Sequence, residues 1–191
     1  ELINWADEKN LTVRIIGAGS NILVDDEGVE GLVISLKKAC ARIDVNGTNI
    51  TAGSAVMLPA LAKKAASSGL SGAEFCIGIP GTVGGALQSN SGTAINSDIS
   101  TIVRQVTVLK NGKFRNYFHD DIIWGYRETS LKRSDDIVIE ASFSLISKSN
   151  DAINSKMRAL LASRKATQPT AEPNAGSIFK NPTGDYAGRL I

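Results

Sequence analysis

Three side chains with usable chemistry stand together near the end of the chain, in Asn174-Ala175-Gly176-Ser177-Ile178-Phe179-Lys180-Asn181-Pro182. Ser177 offers a hydroxyl, Lys180 a cation and Asn181 an amide, a donor set that suits one small anionic molecule. Gly176 permits positive φ or a close approach of backbone to ligand. Pro182 restricts Asn181 to extended geometry and so holds its amide in place. The same residues also read as a polar loop with a proline stop, and spacing alone does not choose between the two readings.

A glycine-rich stretch far upstream bears on the choice. Gly78-Ile79-Pro80-Gly81-Thr82-Val83-Gly84-Gly85-Ala86 holds four glycines, with Pro80 fixing one turn. A run without side chains lets a ligand lie against bare backbone, and Gly84-Gly85-Ala86 reads as the start of a helix whose first amides can face a phosphate. A second loop, Gly17-Ala18-Gly19-Ser20-Asn21, leaves a β-branched strand directly and can turn several N–H groups toward one point, with Ser20 and Asn21 adding donors. It is neither a P-loop, which needs Gly-Lys-Ser/Thr, nor the dinucleotide fingerprint with a third glycine opening a helix. Each loop alone also reads as a tight turn. Together they suit a pyrophosphate, and a phosphate-bearing cofactor is expected.

The elements that must hold these loops are strands mixed with a few helices. Residues 1–9 carry a short helical pattern. Thr12–Ile16, Ile22–Val24, Leu32–Leu36, Arg42–Asn46, Asn49–Ala52, Ile102–Leu109, Lys113–Phe118 and Ile137–Ile146 read as strands. Asn46-Gly47 and Asn111-Gly112 are hairpin signals. Val56–Ser68 reads as a helix with Leu58, Leu61, Ala62, Ala65 and Ala66 on one face and Gly69 as its stop. A second helix is expected from Asn150, as cap, to about Arg164, with Ile153, Met157, Leu160 and Leu161 turned inward. Hairpins dominate, so the class is α+β.

Composition removes several function classes. The chain has 191 residues, a net charge of +2 and no basic run, so a nucleic-acid footprint is not expected. No apolar run reaches the length that spans a bilayer, about 20 residues. Cys40 and Cys76 share no metal or redox spacing and read as small apolar residues of a reducing compartment. The single histidine, His119, lies in a polar stretch, which excludes most His-based metal sites and leaves only a poor basis for a serine hydrolase. The chain lacks an initiator methionine and stops at Arg189-Leu190-Ile191 within an incipient helix, so it reads as a fragment.

Four blocks in order, Gly17 to Val24, Glu74 to Ala86, Gly125-Tyr126-Arg127-Glu128-Thr129-Ser130, and Ala175 to Pro182, closely resemble the UDP-N-acetylenolpyruvoylglucosamine reductase family of peptidoglycan synthesis. The glycine blocks alone match only the wider flavoprotein superfamily. The Tyr-Arg and Gly-Ser-x-Phe-Lys-Asn-Pro blocks make the match specific, and it covers essentially the whole chain. The resemblance implies a two-lobed FAD-binding fold of the PCMH/VAO type, with mixed and antiparallel sheets, flanking helices and the start of a substrate-binding domain. It implies subdomains over 1–50 and 51–150, with a connecting helix and truncated substrate domain over 151–191. It implies a bacterial, cytoplasmic enzyme holding FAD without a covalent bond, reduced by NADPH and passing hydride to the enolpyruvyl double bond of a UDP-sugar. By the same resemblance, Gly17, Ala18, Gly19, Ser20, Asn21, Gly78, Ile79, Pro80, Gly81, Thr82, Gly84, Gly85 and Ala86 hold the FAD. Arg127 lies by the flavin and the substrate carboxylate, Ser177 donates the proton, and Tyr126, Arg164, Gln168, Lys180 and Asn181 face the UDP-sugar. No metal is implied.

Those residue types fit the chemistry. Hydride addition leaves negative charge on the neighbouring carbon and its carboxylate, which a fixed guanidinium meets with two aligned donors. The carbon then takes a proton from a nearby group. Three departures from the family pattern stand out. The carboxylate that completes the family's site lies in a segment this sequence does not contain, and Glu172 does not replace it on motif grounds. An N-terminal strand is missing, and the family's Asn-Ala-Gly is Asn90-Ser91-Gly92 here. The chain by itself is therefore expected to be inactive. Two alternatives stay open: another FAD-dependent oxidoreductase of the superfamily, and a truncated, non-catalytic nucleotide-binding domain.

Overall fold

Two short turns set up the largest sheet. In a computed structural model that describes residues 1–94, 97–169 and 176–191, Asn111 and Gly112 both take positive φ (49° and 72°) and fold strands β8 (Val103–Lys110) and β9 (Lys113–Phe118) back on one another. Glu172, Asn174 and Ala175, named above, lie outside the described residues. Between β3 (Ile43–Asn46) and β4 (Asn49–Gly53) the turn residues are Gly47 and Thr48, and only Gly47 has positive φ (58°), so this turn sits one residue later than Asn46-Gly47 suggests. The long strand β12 (Ile137–Ser144) lies between the two hairpins and completes an antiparallel sheet of order β3-β4-β12-β8-β9.

This sheet buries one face under α2 (Leu58–Ser67) and α3 (Val83–Ser89). Ile50 and Ala52 of β4, Val106 and Val108 of β8 and Phe143 of β12 are wholly inaccessible, as is Leu61 of α2. Full burial of such side chains contributes about 1.5–3 kcal/mol apiece. The apolar spacing of α2 predicts its inward face: Leu58, Leu61, Ala62, Ala65 and Ala66 are all buried. Gly69 follows at φ 66° and ends the helix region.

A smaller sheet pairs β1 (Val13–Ile16) with β2 (Leu32–Ser35) in parallel, beside helix α1 (Leu2–Glu8). Parallel neighbours need a long crossover, and residues 17–31 are that crossover. This explains why Ile22-Leu23-Val24, expected as a strand, is not one: the segment passes over the surface without a partner strand, and Leu23 is fully exposed. Short pairs β6 (Gly92–Ala94) with β7 (Ser97–Asp98), and β10 (Trp124–Gly125) with β11 (Glu128–Thr129), complete the lobe around α3.

The strand expected over Ile137–Ile146 divides at Leu145. Its last part, β13 (Ile146–Ser147), leaves the main sheet and pairs with β5 (Leu70–Ser71). Helix α4 (Asn150–Thr167) is capped by Ser149, whose hydroxyl accepts from the Ala152 amide (3.4 Å), so Asn150 is the first helical residue and not the cap. Ile153 and Met157 point inward and Leu160 packs against the core, but Leu161 is 45% exposed. A short α5 (Ala187–Leu190) ends the chain. The division expected at residue 50 would pass through β4, a strand of the larger sheet.

Helix α4 is tied to the body by one buried carboxylate. Glu74 is 2% exposed. It accepts from the Ser71 hydroxyl (2.5 Å), the Gly72 amide (2.9 Å) and the Lys156 ammonium of α4 (3.3 Å). Burial pushes its carboxyl up, but Ser71, the Glu74 and Gly72 amides and Lys156 together hold it below the ordinary glutamate value. A group depressed in the fold stabilises it fully above the unfolded value, about 4.3, and loses that contribution as pH falls through the folded value. Glu74→Gln should therefore cost about 1–3 kcal/mol at pH 7, and thermal unfolding should show the gap to the unsubstituted protein closing below about pH 4. An equal gap at both pH values would contradict this reading of Glu74.

Candidate functional site

The two glycine loops meet. A methyl group on Gly17 would lie 2.7 Å from Thr82 Oγ1, and one on Gly81 would lie 3.1 Å from Ser20 Oγ. Gly19 and Gly81 also take positive φ (73° and 119°), which glycine adopts without strain. The amides of Ala18, Gly19, Ser20, Asn21 and Gly81 make no hydrogen bond to any of the described residues. The junction carries several backbone N–H donors without a protein acceptor on an exposed loop, the kind of feature that can take an anion.

One expectation is corrected here. The first amides of α3 do not face an open site. Val83 donates to the Val56 carbonyl (2.8 Å), Gly84 to the Ser54 carbonyl (2.8 Å) and Gly85 to the Thr82 hydroxyl (3.3 Å). Thr82 is a side-chain cap, and the helix start is tied into β4 and its following turn. Gly84 is there for contact with Ser54, whose Cβ would be 3.0 Å from an added methyl. Ala86 is buried and Ile79 packs against the core. Gly78 faces α4: a methyl there would be 3.6 Å from Arg164 Cδ, which brings Arg164 to the second glycine loop.

The far end of α3 carries the next part of the site. Asn90 follows the helix in the left-handed region (φ 42°). Its amide donates to the Gly125 carbonyl (3.0 Å) and accepts from the Ser100 amide (3.2 Å). Thr129, buried, donates its hydroxyl to the Leu87 carbonyl (3.0 Å). Gly125 and Glu128 bracket the two-residue turn Tyr126-Arg127 between β10 and β11, with Thr129 next in β11. Arg127 itself is left-handed (φ 57°), unusual for a bulky side chain, and its guanidinium carbon stands 5.7 Å from the centre of the Tyr126 ring. A pocket of about 240 Å³ opens beside this hairpin, lined by Ile123, Gly125, Glu128, Thr129, Ser130 and Arg133. Helix rise puts the hairpin end of α3 about 10 Å from the glycine-loop end.

The C-terminal segment reaches the same hairpin. Lys180 Nζ lies 4.0 Å from a Glu128 carboxylate oxygen. Glu128 is held by Arg133 through Nε (2.9 Å) and Nη2, and that hydrogen bonding, with the charge of Arg133, keeps its carboxyl below the usual range. Ser177 is exposed three residues before Lys180, after Gly176 at φ 69°. Asn181 does not join the hairpin cluster: its side-chain oxygen accepts from the Ala187 amide (3.0 Å). Gln168 is exposed at the end of α4. The structure thus groups Gly17–Asn21 with Gly81 and Thr82, Arg164 with Gly78, and Lys180 with the Tyr126-Arg127 hairpin. Asn90, Thr129 and Glu128 were not singled out in the sequence as site residues. An asparagine just after a short glycine-rich helix is the signal for the first. Among the described residues no group of three or more His, Cys, Asp or Glu is placed to hold a metal, and no helix is long and apolar enough to cross a membrane.

This arrangement has counterparts. A family described as "FAD binding domain" matches residues 1–116. UDP-N-acetylenolpyruvoylglucosamine reductase 2 of Symbiobacterium thermophilum is 44% identical over 191 residues, all of this chain and 62% of that protein. UDP-N-acetylenolpyruvoylglucosamine reductase of Desulforamulus reducens is 40% identical over all of this chain and 63% of its own length. The crystal structure of UDP-N-acetylenolpyruvylglucosamine reductase (MurB) from Thermus caldophilus superposes with a TM-score of 0.83 at 32% identity, covering 100% of this chain and 69% of that one. The chain therefore spans a little under two thirds of the length of the curated relatives it matches.

The glycine junction fits the FAD that the family description names: its amides without protein acceptors suit a diphosphate, and a methyl at Gly17 or Gly81 would press on Thr82 or Ser20 where the two loops meet. Gly17→Ala should lower the flavin bound per protein, read from visible absorbance, by about tenfold or more, because the added carbon must displace Thr82. Gly188→Ala, where nothing lies within 4 Å, should not. Equal flavin content in the two variants would contradict the cradle. Arg127→Gly should raise Tm by about 1–3 °C by relieving the left-handed backbone. A lower Tm would show that Arg127 holds the turn together.

Proposed function

The chain belongs to the FAD binding domain family and to the UDP-N-acetylenolpyruvoylglucosamine reductases, and on that premise we propose that it is the flavin-holding part of an enzyme reducing the enolpyruvyl group of UDP-N-acetylglucosamine enolpyruvate to UDP-N-acetylmuramate. NADPH is the hydride donor, and the product serves peptidoglycan synthesis in the bacterial cytoplasm. The observation that carries this reading is α3, which runs from the glycine junction to the Arg127 hairpin and so spaces an anion cradle from a cationic turn.

FAD, when bound, relays hydride from the nicotinamide to the carbon–carbon double bond. Gly17 to Asn21 and Gly78 to Thr82 hold its diphosphate and the part adjoining it, with Gly84, Gly85 and Ala86 seating the helix behind them. The attachment is noncovalent. Cys76, nearest the second loop, is buried, and burial with the neighbouring Glu74 charge pushes its thiol far up, so no thiolate is present to bond a flavin.

The chain's own residues then manage charge and a proton. Negative charge develops on one carbon of the enol ether and on its carboxylate, and the Arg127 guanidinium meets it without changing protonation state. The Ser177 hydroxyl gives its proton to that carbon and regains one from water. A hydroxyl is a weak acid, but the acceptor is carbanion-like and strongly basic. Tyr126, Arg164, Gln168, Lys180 and Asn181 contact the UDP-sugar. Lys180 exchanges its long, exposed pairing with Glu128 for substrate phosphate at little cost, because solvent screens such pairs.

Stopped-flow measurement of the two half-reactions, in protein carrying these residues at the relatives' length, tests the reading. Ser177→Ala should leave flavin reduction by NADPH nearly intact and slow reoxidation by the enolpyruvyl sugar by about 10²-fold or more. Arg127→Ala should impair the second half-reaction more than FAD retention. Equal loss in both half-reactions would remove Ser177 as the proton donor, and NADPH oxidation independent of the sugar would remove the reductase.

A further inference from the structure

The β10–β11 hairpin is too small to hold itself. Two residues pair on each side, and isolated two-stranded hairpins are marginal in water even when longer. It also contains an arginine in the left-handed region, a conformation unfavourable for a residue with a side chain. Its order therefore comes from outside. Two anchors reach it from the C-terminal end of α3: the Asn90 amide on the Gly125 carbonyl, and the Thr129 hydroxyl on the Leu87 carbonyl. A third closes its base, with Ser130 N–H on the Ile123 carbonyl (3.0 Å) and Ile123 N–H on the Ser130 hydroxyl (3.1 Å). Of these, Asn90 alone bonds to the residue directly before Tyr126-Arg127.

Asn90 suits the task on three counts. It is 5% exposed, so water does not replace its bonds cheaply. Its amide uses both ends, donating to Gly125 and accepting from Ser100, which fixes the rotamer. Asparagine also tolerates the left-handed backbone that ends α3. The helix it ends is fixed at its start, where Thr82 caps it and Gly84 bonds to Ser54.

We propose that Asn90 is a positioning residue: through the Gly125 carbonyl it holds the Arg127 turn at a fixed distance and orientation from the glycine junction, so that the guanidinium meets the charge developing on the substrate. The role in catalysis rests on the function proposed above; the clamp itself does not. Asn90→Gly is the discriminating variant, since glycine keeps the left-handed backbone and loses only the amide. Asn90→Asp keeps the acceptor for Ser100 and loses the donor to Gly125.

Hydrogen–deuterium exchange of the ligand-free protein gives the first readout. Both variants should exchange amides 125–129 about tenfold faster while the core strands stay unchanged. In the second, made in protein carrying these residues at the relatives' length, flavin content and NADPH-driven flavin reduction should match the unsubstituted protein of that length, while sugar-driven reoxidation at saturating sugar slows about 10- to 100-fold. Unchanged exchange at 125–129 overturns the clamp whatever reaction the protein performs. A loosened hairpin with full-speed reoxidation overturns the positioning role. Absence of sugar-driven reoxidation in the unsubstituted protein would overturn the proposed reaction and with it the catalytic role of Asn90, and the exchange result would still decide the clamp.

Discussion

The site depends on how closely α3 approaches the turn after β4. Gly84 donates to the Ser54 carbonyl at 2.8 Å, and a methyl in place of its hydrogen would be 3.0–3.1 Å from Ser54. Only a residue without a side chain allows that seat unstrained. With Val83 bonded to Val56 and Thr82 capping the first turn, the helix start is held by the backbone of the turn after β4 and not by side-chain packing alone. Everything downstream inherits the registration: the Gly17–Thr82 contact at one end and the Asn90–Gly125 bond at the other are placed by a seven-residue rod with little freedom. Core packing supplies stability, but glycine-mediated backbone contact supplies position.

The charged groups near the hairpin work differently. Glu128, Arg133 and Lys180 are substantially exposed, and their pairings are screened by salt and worth little to the fold. This suits side chains that must exchange partners when a ligand arrives. The buried charge at Glu74 is the opposite case, with its hydrogen bonds satisfied by the neighbouring Ser71-Gly72 segment and by Lys156 of α4, and no part in the site. Placement of charge by burial thus separates structural pairs from available ones.

Much of this was legible from residue order. Spacing identified α2 to within two residues and named its buried face, because a helix period and a glycine stop are local signals. Asn111-Gly112 located its hairpin for the same reason. The two glycine loops were recognisable as unusual, but their contact was not, since it joins residues 17 and 82 across the fold. Local reasoning also misjudged what tertiary neighbours decide. Ile22-Leu23-Val24 has strand composition but no strand beside it. Gly84-Gly85-Ala86 does lie in a helix, yet its first amides are taken by Ser54 and Thr82 and are closed to an anion. Asn90 looked like the ordinary first residue of a motif altered only at Ser91, and only the folded chain shows its amide between Gly125 and Ser100.

The order of the larger sheet has a consequence for how the chain is made. Its middle strand, β12, comes last in sequence among the five, and it joins partners that are early: Phe143 pairs with Ile50. During synthesis from the N-terminus, the β3–β4 and β8–β9 hairpins are both available before the strand that unites them emerges. Until then each has a long unpaired edge on the side that β12 will occupy. Such topology folds slowly and exposes its intermediates to association. The vulnerable moment for this protein is therefore the interval between the arrival of β9 and that of β12, a window set by ribosome speed and by whatever shields nascent sheet edges in the cell.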